Sequence, residues 1–376
     1  MFHTKEALHT IRELNFVRTL GSEGEARALE FLCGKLHALG VSTRYHCFED
    51  WWVEPADAFL AIGKRRFPVT PAQTLAFLAG FPWMDGHGQE VRASGRLAKY
   101  GEYSTGALVL REECDLENAY PAEAAGQILM FDPVPSFEAY LWAYEGPGFL
   151  PSAYASLEHR GQILGSVGQE AVLCWQARRI TREFRNLVAE IPGRVSPRES
   201  VVMGAHIDSF PGTVGSSDDA AGCAVLLEAA AYFAENPPDR TVKFVWFTGE
   251  ELDRRGSRRF VEDQAVNPTE TKLYVNVDSG FEQMTRPNCI YASDERIGSW
   301  TRTWVEPKEI EIITGSIESS DAAAFNNQGI PVFQITGGSR QPAHLPTDCP
   351  DTIDMARLDL IGRTSIQAAI LAARMD

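Results

Sequence analysis

The chain has 376 residues, of which 44% are hydrophobic and 23% are charged, the proportions of a folded globular protein. Lys and Arg together number 35 against 51 for Asp and Glu, which gives a net charge of −16 at pH 7. An electric field of that sign repels phosphate backbones and anionic lipid headgroups, so the charge argues against nucleic acids and membrane surfaces as partners.

The beginning of the chain and its cysteines predict a cytoplasmic location. The first residues are charged and periodic, and they lack the apolar centre of a signal peptide. No apolar run approaches the ~18 residues that a membrane-spanning helix needs. The seven cysteines form no C-x-x-C pair, and an odd number without a secretion signal is typical of reduced thiols in the cytoplasm.

Two helices and a strand are predicted before residue 50. Apolar residues recur every three positions from Leu8 to Val17, which predicts one face of a helix. Ser22 and Glu25 have the spacing of a capping box ahead of a second helix, and Gly40 is a typical residue to end that helix. The segment VSTRYHCF at 41–48 is typical of a strand.

Residues 51–182 have a different pattern from the rest of the chain. Short apolar runs such as TGALVLR and GQILMFD alternate there with Gly and Pro. This pattern predicts an inserted, mostly β domain rather than a continued alternation of helices and strands. Residues 1–50 and 183–376 would then form the second, discontinuous domain.

Strands and helices alternate from about residue 185 to the end. The predicted strands are NLVAEIPG, VVMGAH, TVKFVWFTGEE, TKLYVNVDSG and IPVFQITGG. An Ala-rich helix follows Asp219, with Asp218 or Asp219 as a suitable N-cap, and a long amphipathic helix ends the chain. Such alternation predicts an α/β fold with a mostly parallel, mixed sheet covered by helices on both faces.

Side chains that can bind a metal follow four of these strands. They are His206, Asp208, Asp218, Glu250, Glu251, Asp278 and His344. The carboxyl ends of parallel strands meet at one edge of a sheet, so these groups are expected to lie together. Each of them alone has an ordinary structural explanation, such as a helix cap or a solvated turn. Together they suit a metal such as zinc, because without one the carboxylates would repel each other and their pKa values would rise.

Two histidines and three carboxylates are enough for two metal ions. If one carboxylate bridges, each ion has one histidine, one terminal carboxylate and the shared carboxylate. One glutamate is then left as a proton acceptor. Paired ions ~3.5–4 Å apart are a recurring arrangement in hydrolases, where they lower the pKa of a shared water and polarise the substrate carbonyl.

The order and spacing of these motifs resemble metallopeptidase family twenty-eight, the zinc exopeptidases with co-catalytic metals. The motifs that carry the resemblance are AHIDS, SSDDAAG, FTGEELDRRGS, VNVDS and AHLPTD. The resemblance covers about residues 5–50 and 185–376. It implies a three-layer α/β/α zinc-exopeptidase domain and an aminopeptidase that acts on peptides with two zinc ions. Cobalt or manganese could occupy the same ligands.

The resemblance also implies a role for each candidate residue. It implies a bridging ligand and two pairs of terminal ligands for the ions: Asp218 as the bridge, His206 with Asp278, and Glu251 with His344. Glu250 would be the general base, which takes a proton from the water and returns it to the leaving amine. Asp208 would orient His206 through its other ring nitrogen. Asp348 would do the same for His344 or would serve only a turn.

Two positions depart from the family's pattern. Ala322 stands where the family has the His of a Ser-Asp-His motif, and Ala343 stands where some members have a Tyr that stabilises the oxyanion. Arg340 and Gln341 are the nearest replacement donors in the sequence. The insertion resembles a protease-associated domain in the stretch GALVLREECDLENAYPAEAAGQILMFD, with an unrelated β lid as the alternative.

Three other functions stay open at this point. A glutaminyl-cyclase-like acyltransferase would use one metal and would not need His206 as a ligand. A carboxypeptidase would use the same site on the other end of a peptide. A non-catalytic binding protein with this fold would typically have lost ligands, and this chain has lost none. The sequence predicts neither the preferred side chain of the substrate nor whether the protein is a homo-oligomer.

Overall fold

The computed structural model describes the following residues: 2–71, 89–112, 115, 123–130, 151–210, 213–282, 287–305, 310–337, 343–344 and 347–375. The chain divides into two compact units. The larger unit comprises Met1–Phe48 and Glu183–Asp376, and the smaller unit comprises Glu49–Arg182. Two long strands, β1 (Ser42–Ile62) and β7 (Glu170–Ile191), contribute residues to both units.

The larger unit consists of one sheet and the helices that pack on it. Its helices are α1 (Thr4–Glu13), α2 (Glu23–Ala38), α4 (Ala221–Glu235), α5 (Arg255–Glu262), α6 (Glu295–Arg302), α7 (Ala322–Asn327) and α8 (Met355–Ala372). Among the described helices, none combines the length and the apolar character needed to cross a membrane.

The sheet of the larger unit is mixed, with a parallel centre. Besides β7, its strands are β8 (Ser196–His206), β9 (Arg240–Phe247), β10 (Thr271–Val277), β11 (Asn288–Ala292), β12 (Ile310–Thr314) and β13 (Val332–Thr336). They lie in the order β7–β9–β8–β10–β13–β11–β12. The four central strands β9, β8, β10 and β13 are parallel, while β7 and β11 pair antiparallel to their neighbours β9 and β13. The carboxyl ends of the central strands therefore share one edge.

Neighbouring residues of the central strands face opposite helical layers. Val201 of β8 is buried in the core that includes residues of α1, α2, α4 and α8. Val202 instead belongs to the core under α5 and α7. Tyr274 of β10 lies in that second core, where its ring stacks on Phe325 of α7 with 3.7 Å between centroids. Each buried apolar side chain contributes about 1.5–3 kcal/mol, so these two cores, one on each face of the sheet, stabilise a three-layer α/β/α arrangement. The fold class predicted from the sequence is confirmed.

The predicted capping box at the start of α2 is only half formed. The Ser22 hydroxyl accepts a hydrogen bond from the Glu25 backbone N–H at 3.2 Å, as predicted. The Glu25 carboxylate, however, accepts from the Gly21 N–H at 2.7 Å and from the Thr248 hydroxyl. Glu25 therefore connects α2 to the end of β9 instead of returning to its own cap. Gly40 has φ +72° just past the helix, as expected for a C-terminal glycine.

The smaller unit is mostly β in its described residues. Besides parts of β1 and β7, it contains one short helix and five strands: α3 (Arg160–Leu164), β2 (Arg65–Pro71), β3 (Gln89–Lys99), β4 (Leu108–Arg111), β5 (Gly126–Leu129) and β6 (Ser152–Ala155). Strands β3, β4, β5 and β6 are parallel, and β2 runs antiparallel to β6 and β1. The unit has its own apolar core, which includes Leu108, Ile128 and Trp175.

The resemblance of the insertion to a protease-associated domain stays a prediction. Residues 113–114, 116–122 and 131–132 of the stretch that carries it lie outside the described residues.

Gly222 lies where α4 packs most closely on the sheet, and its substitution tests that packing. A Cβ there would lie 2.4 Å from the Asp219 carboxylate oxygens and 2.5 Å from the Val277 carbonyl oxygen. Gly34 in α2 is the matched control, since its Cβ would meet no atom within 4 Å. We expect Gly222→Ala to lower the thermal midpoint, because overpacking costs about 1–3 kcal/mol. Gly34→Ala should raise it slightly, because Ala favours a helix interior by about 0.5–1 kcal/mol.

Circular dichroism melts of the two variants and the parent protein would measure these shifts. Equal midpoints for the two variants would contradict the close approach of α4 to the sheet.

Candidate active site

The predicted ligands come together at the carboxyl edge of the parallel strands. His206 is the last residue of β8, and Asp278 directly follows β10. Glu250 and Glu251 come shortly after β9, and Asp218 lies in the turn that leads into α4. The strand-end rule applied to the sequence therefore located these side chains correctly.

Two groups of candidate ligands share Asp218. In the first, His206 Nε2 lies 3.0 Å from Asp218 Oδ1 and 3.8 Å from Asp278 Oδ1. In the second, His344 Nε2 lies 3.3 Å from Asp218 Oδ2 and 3.0 Å from Glu251 Oε2. Within each group, one donor atom from each of the three residues lies within 4.8 Å of the others. Asp218 thus presents one carboxylate oxygen to each histidine.

Burial and charge shift the pKa values of these groups in opposite directions. Burial alone would lower the pKa of His206, but the acidic side chains around it raise that pKa well above its usual value. Burial would raise the pKa of Asp218, but hydrogen bonds from His206 and His344 outweigh it and lower the pKa. Burial raises the pKa of both Glu250 and Glu251. In the absence of a cation the cluster therefore compensates its negative charge by holding protons.

Asp208 contacts the predicted ring nitrogen of His206, Nδ1, but through its backbone carbonyl and not through its carboxylate. The Asp208 carbonyl oxygen lies 2.9 Å from His206 Nδ1, whereas the nearer carboxylate oxygen is 3.6 Å away. The two carboxylate oxygens instead accept hydrogen bonds from the backbone N–H groups of Glu250, at 3.1 Å, and Glu251, at 3.2 Å. Asp208 therefore orients the histidine and also holds the backbone of the glutamate pair.

Asp348 holds the bridging residue rather than His344. Its buried carboxylate accepts hydrogen bonds from the backbone N–H groups of Ser217, at 2.6 Å, and Asp218, at 3.1 Å. The His344 ring is instead stacked on Phe210, with 4.3 Å between centroids. Asp348 therefore serves the turn before α4, which agrees with the second of the two roles predicted for it, and not with the first, the orientation of His344.

Two further buried residues hold this edge and were not assigned such roles from the sequence. Asp219 accepts hydrogen bonds from the His206 N–H at 3.2 Å and from the Gly222 N–H at 3.0 Å, so it joins β8 to the start of α4. The fully buried Arg18 guanidinium donates to the Leu14 and Phe16 carbonyls of its own segment. It also donates to the Ile207, Val214 and Gly215 carbonyls, which lie on both sides of the Asp208 loop. The helix-cap signal identified Asp219, but nothing local in the sequence marks Arg18.

A chain of hydrogen bonds orients Asp278. Its Oδ2 accepts a hydrogen bond from the Ser320 hydroxyl, which in turn accepts from the Asn276 amide at 2.8 Å. The Tyr274 hydroxyl donates to Asn276 Oδ1 at 2.6 Å. This chain leaves Asp278 Oδ1 facing His206. Ser320 occupies the Ser position of the family's Ser-Asp-His motif, in which Ala322 replaces the His, so that motif could have identified Ser320.

The two departures from the family's pattern have different surroundings. Ala322 is fully buried at the start of α7, and Ala343 lines the cavity beside the ligand groups. Arg340 and Gln341, the replacement donors suggested by the sequence, lie outside the described residues.

A cavity of about 410 Å³ lies beside the two ligand groups. One side is formed by Glu250 together with candidate ligands from both groups. Four further lining residues follow β10 or lie on β11 and β13, and we call them the polar wall: Ser279, Tyr291, Gln334 and Thr336. Sequence reasoning did not identify the polar wall.

Comparisons with known proteins relate this chain to a family. The model of peptidase family M28 matches residues 186–369. Leupeptin-inactivating enzyme 1 of Streptomyces exfoliatus is 30% identical over 163 residues, 41% of this chain and 36% of that protein. An aminopeptidase of Pseudomonas aeruginosa is 30% identical over 181 residues, 46% of this chain and 34% of that protein. The chain thus spans about a third of the length of these curated relatives.

Solved structures share the fold. A zinc aminopeptidase from Bacillus subtilis superposes with a TM-score of 0.65 at 18% identity, covering 98% of this chain and 95% of that one. An aminopeptidase from an Aneurinibacillus strain gives a TM-score of 0.61 at 17% identity, with 98% and 94% covered. The resemblance drawn from the motifs is confirmed by the match of residues 186–369 to peptidase family M28.

Proposed function

We propose that the protein is a two-zinc aminopeptidase that releases N-terminal residues from short peptides. The observation that carries the proposal is the pair of ligand groups that share Asp218 at one wall of a cavity, with Glu250 beside them but in neither group. The relatives named as aminopeptidases support it, as does the match to peptidase family M28.

The donor atoms fit zinc. Two ligands about 2.1 Å from one tetrahedral ion stand roughly 3.4 Å apart, and the separations from each histidine to its carboxylates, 3.0 to 3.8 Å, bracket that value. Glu251 Oε1 is buried and has no hydrogen-bond partner among the described residues, so it is available to a cation. His206 and Asp278 would hold one ion, Glu251 and His344 the other, and Asp218 both. Cobalt or manganese would fit the same donors.

Glu250 is positioned to move the proton in the hydrolytic step. When bound, the two ions would lower the pKa of a shared water and polarise the substrate carbonyl. The backbone of Glu250 is held by Asp208, and its side chain lines the cavity. Its carboxylate would take a proton from the attacking water and return it to the leaving amine.

The charge of the cavity favours a free amino end over a free carboxyl end. Its described lining residues include acidic side chains such as Glu250 and Asp278 but no Lys or Arg. An ammonium group is attracted to such a wall, whereas the carboxylate of a carboxypeptidase substrate would be repelled. A cyclase-like site would not need His206, yet His206 belongs to the first ligand group. The cytoplasmic location stays an untested prediction, and the oligomeric state stays open.

Digestion of mixed short peptides tests the proposal directly. Zinc-loaded protein should shorten peptides from their free N-termini, and a chelator should stop the reaction, with mass spectrometry as the readout. Trimming from the C-terminus would reject the aminopeptidase assignment while keeping a peptidase. Loss of ammonia from N-terminal Gln without shortening would favour the cyclase-like alternative. No change in any peptide would favour a binding protein.

Substitution of Glu250 tests the assignment of the general base. Glu250→Gln should bind as much zinc as the parent, because Glu250 belongs to neither ligand group, but kcat should fall at least ~100-fold. Elemental analysis would count the metals, and peptide hydrolysis would give the rate. Glu262→Gln, at a half-exposed carboxylate of α5, is the matched control and should keep full activity. Full activity in Glu250→Gln would exclude the proposed mechanism.

A further inference from the structure

The polar wall of the cavity contains a buried amide oxygen without a hydrogen-bond partner among the described residues. Gln334 lies on β13, is only 6% exposed and lines the cavity. Its Oε1 has no hydrogen-bond partner among the described residues. Buried polar atoms in native proteins are nearly always paired with protein, ligand or ordered water, so this oxygen beside a cavity is a candidate acceptor for a hydrogen bond from a ligand.

Two hydroxyl groups extend the polar wall. The Oγ of Ser279 and the Oγ1 of Thr336 lie 3.1 Å apart, and both residues line the cavity. A hydrogen bond between two hydroxyls uses one proton, so the pair still offers one donor and several lone pairs. Tyr291 lines the same cavity from β11, where it pairs in register with Gln334. The wall therefore both donates and accepts hydrogen bonds.

The charges around the wall disfavour acidic side chains as occupants. The described lining residues contain no Lys or Arg that could pair with an acidic side chain. Glu318, a further acidic lining residue, is exposed and stays in water.

We propose that this wall is the binding site for the substrate's N-terminal side chain and that it selects a neutral hydrogen-bonding side chain, a hydroxyl or a carboxamide, over an aliphatic one of the same shape. The inference rests on the proposed function, since it names the substrate class of that site. An aliphatic side chain would bury Gln334 without a partner, and sites built to pair a polar group discriminate strongly against analogues that lack it.

Peptides that differ only at the first residue test the inference. Thr against Val and Asn against Leu are pairs of similar shape, and kcat/KM for each pair measures the discrimination. We expect the parent protein to favour the polar member at least about 10-fold. Gln334→Met keeps the side-chain length but removes the amide, and it should reduce the preference at least about 10-fold. Gln367→Met, an exposed position of α8 outside this cavity, should leave the preference unchanged.

Two results would overturn the inference. One is equal or better hydrolysis of the Val and Leu peptides by the parent protein, and the other is an unchanged preference in Gln334→Met. If no peptide is hydrolysed, the proposed function fails, and calorimetry on zinc-loaded Glu250→Gln protein tests the wall separately. Tighter binding of the Thr and Asn peptides would then support the wall's selectivity. Equal binding, or tighter binding of the Val and Leu peptides, would reject it.

Discussion

Repulsion among carboxylates at one edge of the sheet is the constraint on which the rest of the larger unit depends. Four central strands end at that edge, and largely buried acidic side chains follow them in the chain. A buried carboxylate is stable only when it is protonated, paired with a cation or bonded to several N–H groups. Burial, and after it the neighbouring acidic side chains, raise the pKa of Glu250 and that of Glu251, as this constraint requires.

The acidic residues meet that constraint in two different ways. Asp208, Asp219 and Asp348 each accept two backbone N–H hydrogen bonds, which offset part of the cost of burying a carboxylate. Burial nevertheless raises the pKa of Asp219 and that of Asp348. Asp218 and Glu251 instead face the histidines. The first set holds the loops, and the second set is left for ligation. This division explains how so many acidic residues can lie close together while only some of them are candidate metal ligands.

Local sequence pattern was sufficient for the part of the site that follows strand ends. The apolar runs located β8, β9, β10 and β13, and the residues after them are the ones that cluster. The contacts of Asp348 could not be predicted in the same way, because it bonds residues about 130 positions away and no local pattern records that pairing. Arg18 is a similar case, since its carbonyl partners in the Asp208 loop come from a distant segment.

The polar wall was missed for a different physical reason. The sequence did not predict β11 and β12, and no local pattern records that β11 pairs antiparallel with β13 across the intervening β12 and α7. Without β11, nothing in the sequence indicated that Gln334 of β13 would face a cavity rather than a packed core. The residues proposed to select the substrate therefore emerged only from the three-dimensional arrangement, whereas the proposed ligands were visible in the motifs.

The most direct test of the two-metal account is anomalous diffraction at the zinc edge from crystals of zinc-loaded protein. The account predicts two peaks ~3.5–4 Å apart, one on each side of the Asp218 carboxylate, with His206 and Asp278 at one peak and Glu251 and His344 at the other. A single peak, or peaks that do not contact Asp218, would contradict it.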